Sequence, residues 1–184
     1  MSGVGLTPTA KIILGFLRFR PRSGYDIKRA VEVSTQFFWG ASFGQIYPEL
    51  KRLERAGLVE VQQLAERRRK VYRLTVAGEE ALLEWLQGEH GELFQYRDEG
   101  MLRLFFSDLV DAETALENVR GMREWRVRLL EFFRAEIEPH AQEDADEGAR
   151  FPLRALQLGL AMLEAQSEWL GNLERELRGE LKAR

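Results

Sequence analysis

Apolar positions recur with a helical period over most of the chain. Ile12, Ile13, Phe16 and Leu17 follow Thr7 or Thr9, either of which can cap a helix, and "FRPRSG" ends the segment with a proline and a loop. Ser23 starts a second helix, "GYDIKRAVEVS", with Tyr25 or Ile27, Ala30 and Val31 on one face. The stretch "TQFFWGAS" is too aromatic for a solvated loop, so Phe37, Phe38 or Trp39 is expected to plug the core beneath it. Ser42 is the next cap. A wheel at about 100° per residue from Ser42 to Ala56 puts Ile46, Leu50, Leu53 and nearly Phe43 on a core face. The opposite face carries Gly44, Pro48, Lys51 and Arg55, flanked by Tyr47 on one side and by Gln45 and Arg52 on the other.

Pro48 breaks the pattern of this helix. Inside it, proline removes the bond to the Gly44 carbonyl and crowds that oxygen, at about 3 kcal/mol unless the first turn opens, and glycine at 44 is the residue best able to relax. The other reading starts the helix at Pro48 as its first residue. An outward surface of Gly, Pro and Tyr beside Lys and Arg is low and flat, which suits a major groove. Tyr47 and Pro48 can touch thymine methyls, Gln45 can bond a base edge, and Lys51 and Arg52 can reach phosphate or guanine. Ser42, at the helix start, is counted with this face.

After Gly57 the period changes. Val59 and Val61, then Val71, Tyr72 and Leu74, predict a hairpin with Glu66 to Arg69 at its tip. Three helices followed by a two-stranded hairpin is the order of a winged helix, whose wing reaches backbone or minor groove beside the reading helix. Alone, "RRRK" reads as a solvated turn; in this position Arg67, Arg68, Arg69 and Lys70 read as phosphate contacts. "TVAGEEALLEWLQ" is a fourth helix with Ala77, Ala81, Leu82 and Trp85 inward.

The second half is helical throughout its apolar pattern. Residues 92 to 110 predict a helix clustering Met101, Leu102, Phe105 and Phe106, with Asp108 or Asp111 restarting the chain. A long helix follows, with Ala115, Val119, Met122, Trp125 or Arg126, Leu129, Phe132 or Phe133 and Ile137 at helical spacing, closed near Pro139, and "PHAQEDADEGAR" is expected as a loop. Leu153, Leu156, Leu160, Leu163, Leu170, Leu177 and Leu181 follow a 3,4 spacing interrupted at Ser167 and Glu174, the pattern of a coiled-coil or antiparallel seam. Leu158, Met162, Trp169 and Leu173 lie off that seam, so a second copy is expected to cover the surplus, giving an obligate dimer through about 151 to 181.

Charge sharpens this division. Residues 1 to 87 hold 14 Lys and Arg against 9 Asp and Glu, a surplus of +5, whereas residues 88 to 184 hold 13 against 21, or −8, which makes up the net −3. A basic head on an acidic tail implies an anionic partner for the head. The fold class is therefore mainly α, with an α+β winged helix over 1–90 and a long-helix dimerisation domain over 91–184. The chain has no cysteine, no apolar run of membrane-spanning length and no export signal, which implies a cytoplasmic address and no membrane. Neither a phosphate-binding glycine loop nor a nucleophile elbow nor a Cys/His pair is present, so no enzyme and no cofactor are expected. His140 among carboxylates reads as a solvated loop rather than a metal site, and His90 as a linker residue.

The segments "SGYDIKRAVE", "WGASFGQIYPELKRLERAGLVE" and "YRLTVAGEEALLEWL" resemble the winged-helix domain of the PadR family of bacterial transcriptional regulators, over about residues 6 to 87. The "RDEGMLRLFFSDL" to "GLAMLEAQSEWL" layout is similar to the α-helical dimerisation domain of many such regulators. The resemblance implies a homodimeric DNA-binding regulator, a repressor by expectation. It places Tyr25, Gly44, Gln45, Tyr47 and Pro48 at or beside double-stranded DNA, with Lys51 and the wing arginines extending that surface. A two-fold dimer would set reading helices about 34 Å apart on a palindromic operator. The aromatic surplus, including Trp125, Trp169, Phe94 and Tyr96, is open to two readings: core packing, or an effector pocket at the dimer interface, as some family members have for phenolic acids or planar drugs. A winged helix used only for protein interaction is the alternative function.

Overall fold

Thr7 caps the first helix as its sequence demands, its hydroxyl oxygen accepting from the Ala10 N–H at 3.0 Å, and Pro8 occupies the first turn where no donor is needed. This helix, α1 (Pro8–Phe19), turns Ala10, Ile13, Leu14 and Leu17 inward. The computed structural model describes residues 5–63, 70–89, 97–146 and 149–183. The chain divides into two compact units, Met1–Glu92 and Leu93–Arg184.

In the first unit a two-residue strand, β1 (Arg22–Ser23), leads into α2 (Gly24–Glu32) through a capping box: the Ser23 N–H donates to Asp26 Oδ2 at 3.1 Å and the Asp26 N–H to Ser23 Oγ at 3.2 Å. A short 3₁₀ turn, Thr35–Phe37, precedes α3 (Phe43–Arg55). Gly57, at φ 71°, takes the left-handed conformation that ends α3. Strands β2 (Val59–Gln63) and β3 (Lys70–Leu74) pair antiparallel with Val59 opposite Leu74 and Val61 opposite Tyr72, and α4 (Val76–Gln87) closes the unit. The core is aliphatic, with Ile13, Leu14, Ile27, Val31, Ile46, Leu50, Leu53 and Val59 almost wholly buried.

Three expectations change here. The sheet has three strands in the order β1-β3-β2 rather than two, because Arg22 and Ser23 extend alongside Tyr72 and Val71. Phe37, Phe38 and Trp39 are exposed; the loop enters the core with the small Ala41 instead, since aliphatic side chains of the three helices already fill it. Helix α4 buries Gly78 and Leu82, while Ala77 and Trp85 are exposed. Its rotation is set by Gly78, where a Cβ would lie 2.0 Å from the Leu58 carbonyl oxygen.

The second unit holds α5 (Glu99–Phe105), a 3₁₀ turn (Ser107–Leu109), α6 (Ala112–Phe132) capped by Asp111, a π turn (Phe133–Ile137), α7 (Glu138–Asp146) and α8 (Arg150–Ala183). The single helix expected over 92–110 is thus shorter where described, and it faces inward with Leu104, while Met101, Leu102, Phe105 and Phe106 are exposed. The acidic stretch expected as a loop is helical as far as Asp146. Pro139 does not close α6, because the π turn before it lets the Glu138 N–H bond the Phe133 carbonyl and moves the proline into a fresh first turn.

The leucine seam of α8 is covered from within the chain. Leu170, Leu173 and Leu177 pack with Val119 and Met122 of α6, and Leu156, Leu160 and Leu163 with Leu130 and Phe133. Leu173, expected off the seam, belongs to it. Two buried charges lie along this packing. Arg126 donates to Gln166 Oε1 at 2.9 Å, to the Met122 carbonyl at 3.0 Å and to Asp98 Oδ2 at 2.5 Å, and Glu174 accepts from Arg120, Arg123 and Arg178. Phe151, Leu158, Met162 and Trp169 form an exposed stripe on the other side of α8.

Candidate nucleic-acid interface

Helix α3 carries the candidate site because one side of it is anchored and the other is open. Ile46, Leu50 and Leu53 are wholly buried, while Gly44, Gln45, Tyr47, Pro48 and Lys51 are exposed. The helix begins at Phe43, so Pro48 lies in its interior and not at its first position. Its ring therefore projects outward over a turn that lacks the bond to Gly44. A Cβ on Gly44 would meet only Ser42 Oγ, at 3.7 Å, so neighbouring elements do not require glycine there; the proline beside it supplies the reason.

The polar residues of this face are not equally available. Gln45 Oε1 accepts the Ser42 N–H at 2.9 Å and the Ser42 hydroxyl at 3.2 Å, so both residues serve the helix cap, and only the amide donors of Gln45 remain for a partner. Arg52 is closed on Glu49 by two bonds, Nε to Oε2 at 3.0 Å and Nη2 to Oε1 at 2.8 Å. Glu49 also accepts from Thr7 at 2.5 Å. The Arg52 hydrogen bond first, then that of Thr7 and the Arg52 charge, hold the Glu49 carboxyl below the usual range against the opposing effect of burial. Arg52 is thus held along its own helix rather than reaching outward, and Glu49 ties α3 to the cap of α1 through Thr7. Lys51 is exposed and makes no ion pair among the described residues.

An aromatic row runs beside these residues. Tyr25 stacks on Phe43 at 6.4 Å between ring centroids and 22° between planes, and Phe43 on Tyr47 at 6.0 Å and 19°. Gly24 makes room for it, since a Cβ there would lie 2.7 Å from Tyr47 Cε1. Phe43, nearly a core residue on the helical wheel, is the member that the sequence pattern missed. In the wing, Lys70 is exposed at the start of β3 and Arg73 pairs with Glu60 across the ladder. Arg67, Arg68 and Arg69 lie outside the described residues, as do His90, Phe94 and Tyr96.

Trp125 and Trp169, named for an effector, are about half exposed, and the structure brings neither into a described cavity. Among the described residues no helix is long and apolar enough to cross a membrane, and no cluster of three or more His, Cys, Asp or Glu could hold a metal ion.

Three helices, a hairpin and an outward-facing third helix define a winged helix-turn-helix. Residues 13–84 match the model of the transcriptional regulator PadR-like family, and residues 96–178 the virulence activator alpha C-term model. The negative transcriptional regulator PadR of Bacillus subtilis (strain 168) is 35% identical over 106 residues, a match that spans 56% of this chain and 58% of that protein. Among solved structures, the PadR-like transcriptional regulator of Bacillus cereus superimposes with a TM-score of 0.80 at 26% identity, over 94% of this chain and 99% of its own. Bacillus subtilis PadR in complex with operator DNA shares the fold with a TM-score of 0.80 at 24% identity, over 91% of this chain and 96% of its own. The same protein in complex with p-coumaric acid gives 0.74 at 27%, over 92% and 99%. In both sequence and fold the chain is similar to the PadR-like family of transcriptional regulators.

Proposed function

We propose that this protein is a sequence-specific regulator of transcription, a repressor, that binds double-stranded DNA in the cytoplasm as a homodimer on a palindromic operator. Residues 1–90 serve as the DNA-binding domain and 91–184 as the dimerisation domain. The observation that carries this reading is the two-sidedness of α3: its inner face is fixed by Ile46, Leu50 and Leu53, and its outer face offers Tyr47, Pro48 and Lys51 beside Tyr25. The negative regulator PadR supports repression as the direction of control, and its complexes with operator DNA and p-coumaric acid support a DNA partner and a small aromatic effector. In this chain the half-exposed Trp125 and Trp169 are the candidate effector contacts, in a site that a second protomer completes.

Arg67, Arg68, Arg69 and Lys70 anchor the wing to phosphates in this reading. Replacing Arg68 and Arg69 by alanine should weaken binding to operator and random duplex alike, and flatten the plot of log affinity against log salt by up to about 0.9 for each phosphate no longer neutralised. An unchanged slope would reduce these arginines to a solvated turn. A wild-type protein that binds no duplex at any salt would leave the fold serving a protein partner instead.

A further inference from the structure

The outward face of α3 is poorer in hydrogen-bonding groups than its sequence suggests. Gln45 spends its carbonyl oxygen on Ser42, and Arg52 is closed on Glu49. The first two turns are left with Phe43, Gly44, Tyr47 and Pro48 as outward positions, all exposed, beside the amide donors of Gln45. Phe43 is stacked between Tyr25 and Tyr47, with Lys28 Nζ 5.9 Å from its ring centroid, and yet 44% of it remains accessible. A ring held on both sides is already ordered and loses little conformational entropy when it meets a partner. Its stacking neighbours Tyr25 and Tyr47 are themselves 46% and 44% exposed, so hydrophobic burial does not account for the row.

In a major groove, an apolar side chain finds one apolar group on the base edges, the C5-methyl of thymine. Phe43 is the first residue of α3, and the N-terminal residues of a recognition helix are those that meet base edges. We propose that Phe43 is a specificity-determining residue that selects thymine in the half-site by contact with its C5-methyl group, and that Tyr25 and Tyr47 position its ring. This rests on the DNA-binding reading above. Carrying no charge, Phe43 sets which base is preferred without changing the number of phosphates neutralised.

The test is a selection from a random duplex library by the full-length protein and by its Phe43→Ala and Phe43→Leu variants, followed by titration of the selected duplex with each thymine replaced in turn by deoxyuridine, which lacks only the methyl. The wild type should lose about four-fold in affinity at one or more positions, the equivalent of one buried methyl-sized group. Phe43→Ala should show no such loss there while binding with the wild-type salt dependence, and Phe43→Leu should retain part of it. Deoxyuridine penalties that are the same in the wild type and in Phe43→Ala at every position would overturn the role of Phe43. A wild type that enriches no sequence would overturn the DNA-binding reading itself, a result visible before any variant is compared.

Discussion

At Gly78 a single added methyl group would sit 2.0 Å from the carbonyl oxygen of Leu58, backbone that cannot move aside. Gly78→Ala should therefore cost about 1 to 3 kcal/mol, read from chemical denaturation of the purified protein. On α3 the same measurement separates the two faces. Leu53 is wholly buried, and Leu53→Ala should cost about 2 to 5 kcal/mol, whereas Lys51→Ala should stay within about 0.5 kcal/mol and weaken DNA binding. Loss of the fold in Lys51→Ala, or wild-type affinity for DNA, would mean that the outer face has been misassigned. The inner face was legible because three leucine and isoleucine positions at helical spacing leave one choice of rotation. Phe43 was not: a wheel gives the direction of a side chain, and says nothing of whether protein lies in that direction. Phe37, Phe38 and Trp39 fail in the same way, since aromatic character alone does not say what covers a ring.

Among the elements, α8 combines two apolar faces, one buried within the chain and one exposed. Its seam is buried on α6, and at one seam position leucine gives way to Glu174. Burial alone would raise that carboxyl, but the hydrogen bond from Arg120, the charge of Arg178 and the bond and charge of Arg123 outweigh it and hold it below the usual range. A carboxyl lowered by folding releases its proton more readily in the native state, so its stabilising contribution is complete above the ordinary glutamate pKa and fades as pH falls through the folded value. Glu174→Leu should change stability at pH 7 by less than about 1 kcal/mol, since Arg120, Arg123 and Arg178, which it leaves without their partner, are nearly half exposed and can turn to solvent while leucine completes the apolar seam. On acidification the comparison should shift in favour of leucine; a difference independent of pH from 7 to 3 would refute this role for the arginine cluster. The seam itself could be read from its 3,4 spacing. Its partner could not, because α6 and a second copy offer the same kind of apolar stripe, and the π turn before Pro139 depends on a backbone shift that side-chain periodicity does not encode.

The whole molecule has more apolar surface than one chain covers, and the seam is no longer the part that needs covering. Phe151, Leu158, Met162 and Trp169 remain exposed along α8, which supports pairing through this outer stripe. Light scattering at micromolar concentration should give a dimer, and Met162→Glu combined with Trp169→Glu should give a folded monomer with much weaker operator affinity; a wild-type monomer would end the dimer proposal. The change of charge sign after residue 87 falls close to the boundary between the two compact units, and in the proposed reading it sets the DNA-binding half apart, because charge responds to a partner and not to the core. Whether the outer face of α3 reads DNA is decided by a gel shift of the full-length protein on duplex flanking its own coding region against unrelated duplex of equal length. Binding should be tighter to the flanking DNA, with that preference abolished in Tyr47→Ala/Lys51→Ala while the melting temperature is unchanged. Equal affinity for both duplexes, or a preference that survives the double substitution, would overturn the assignment of this face to DNA.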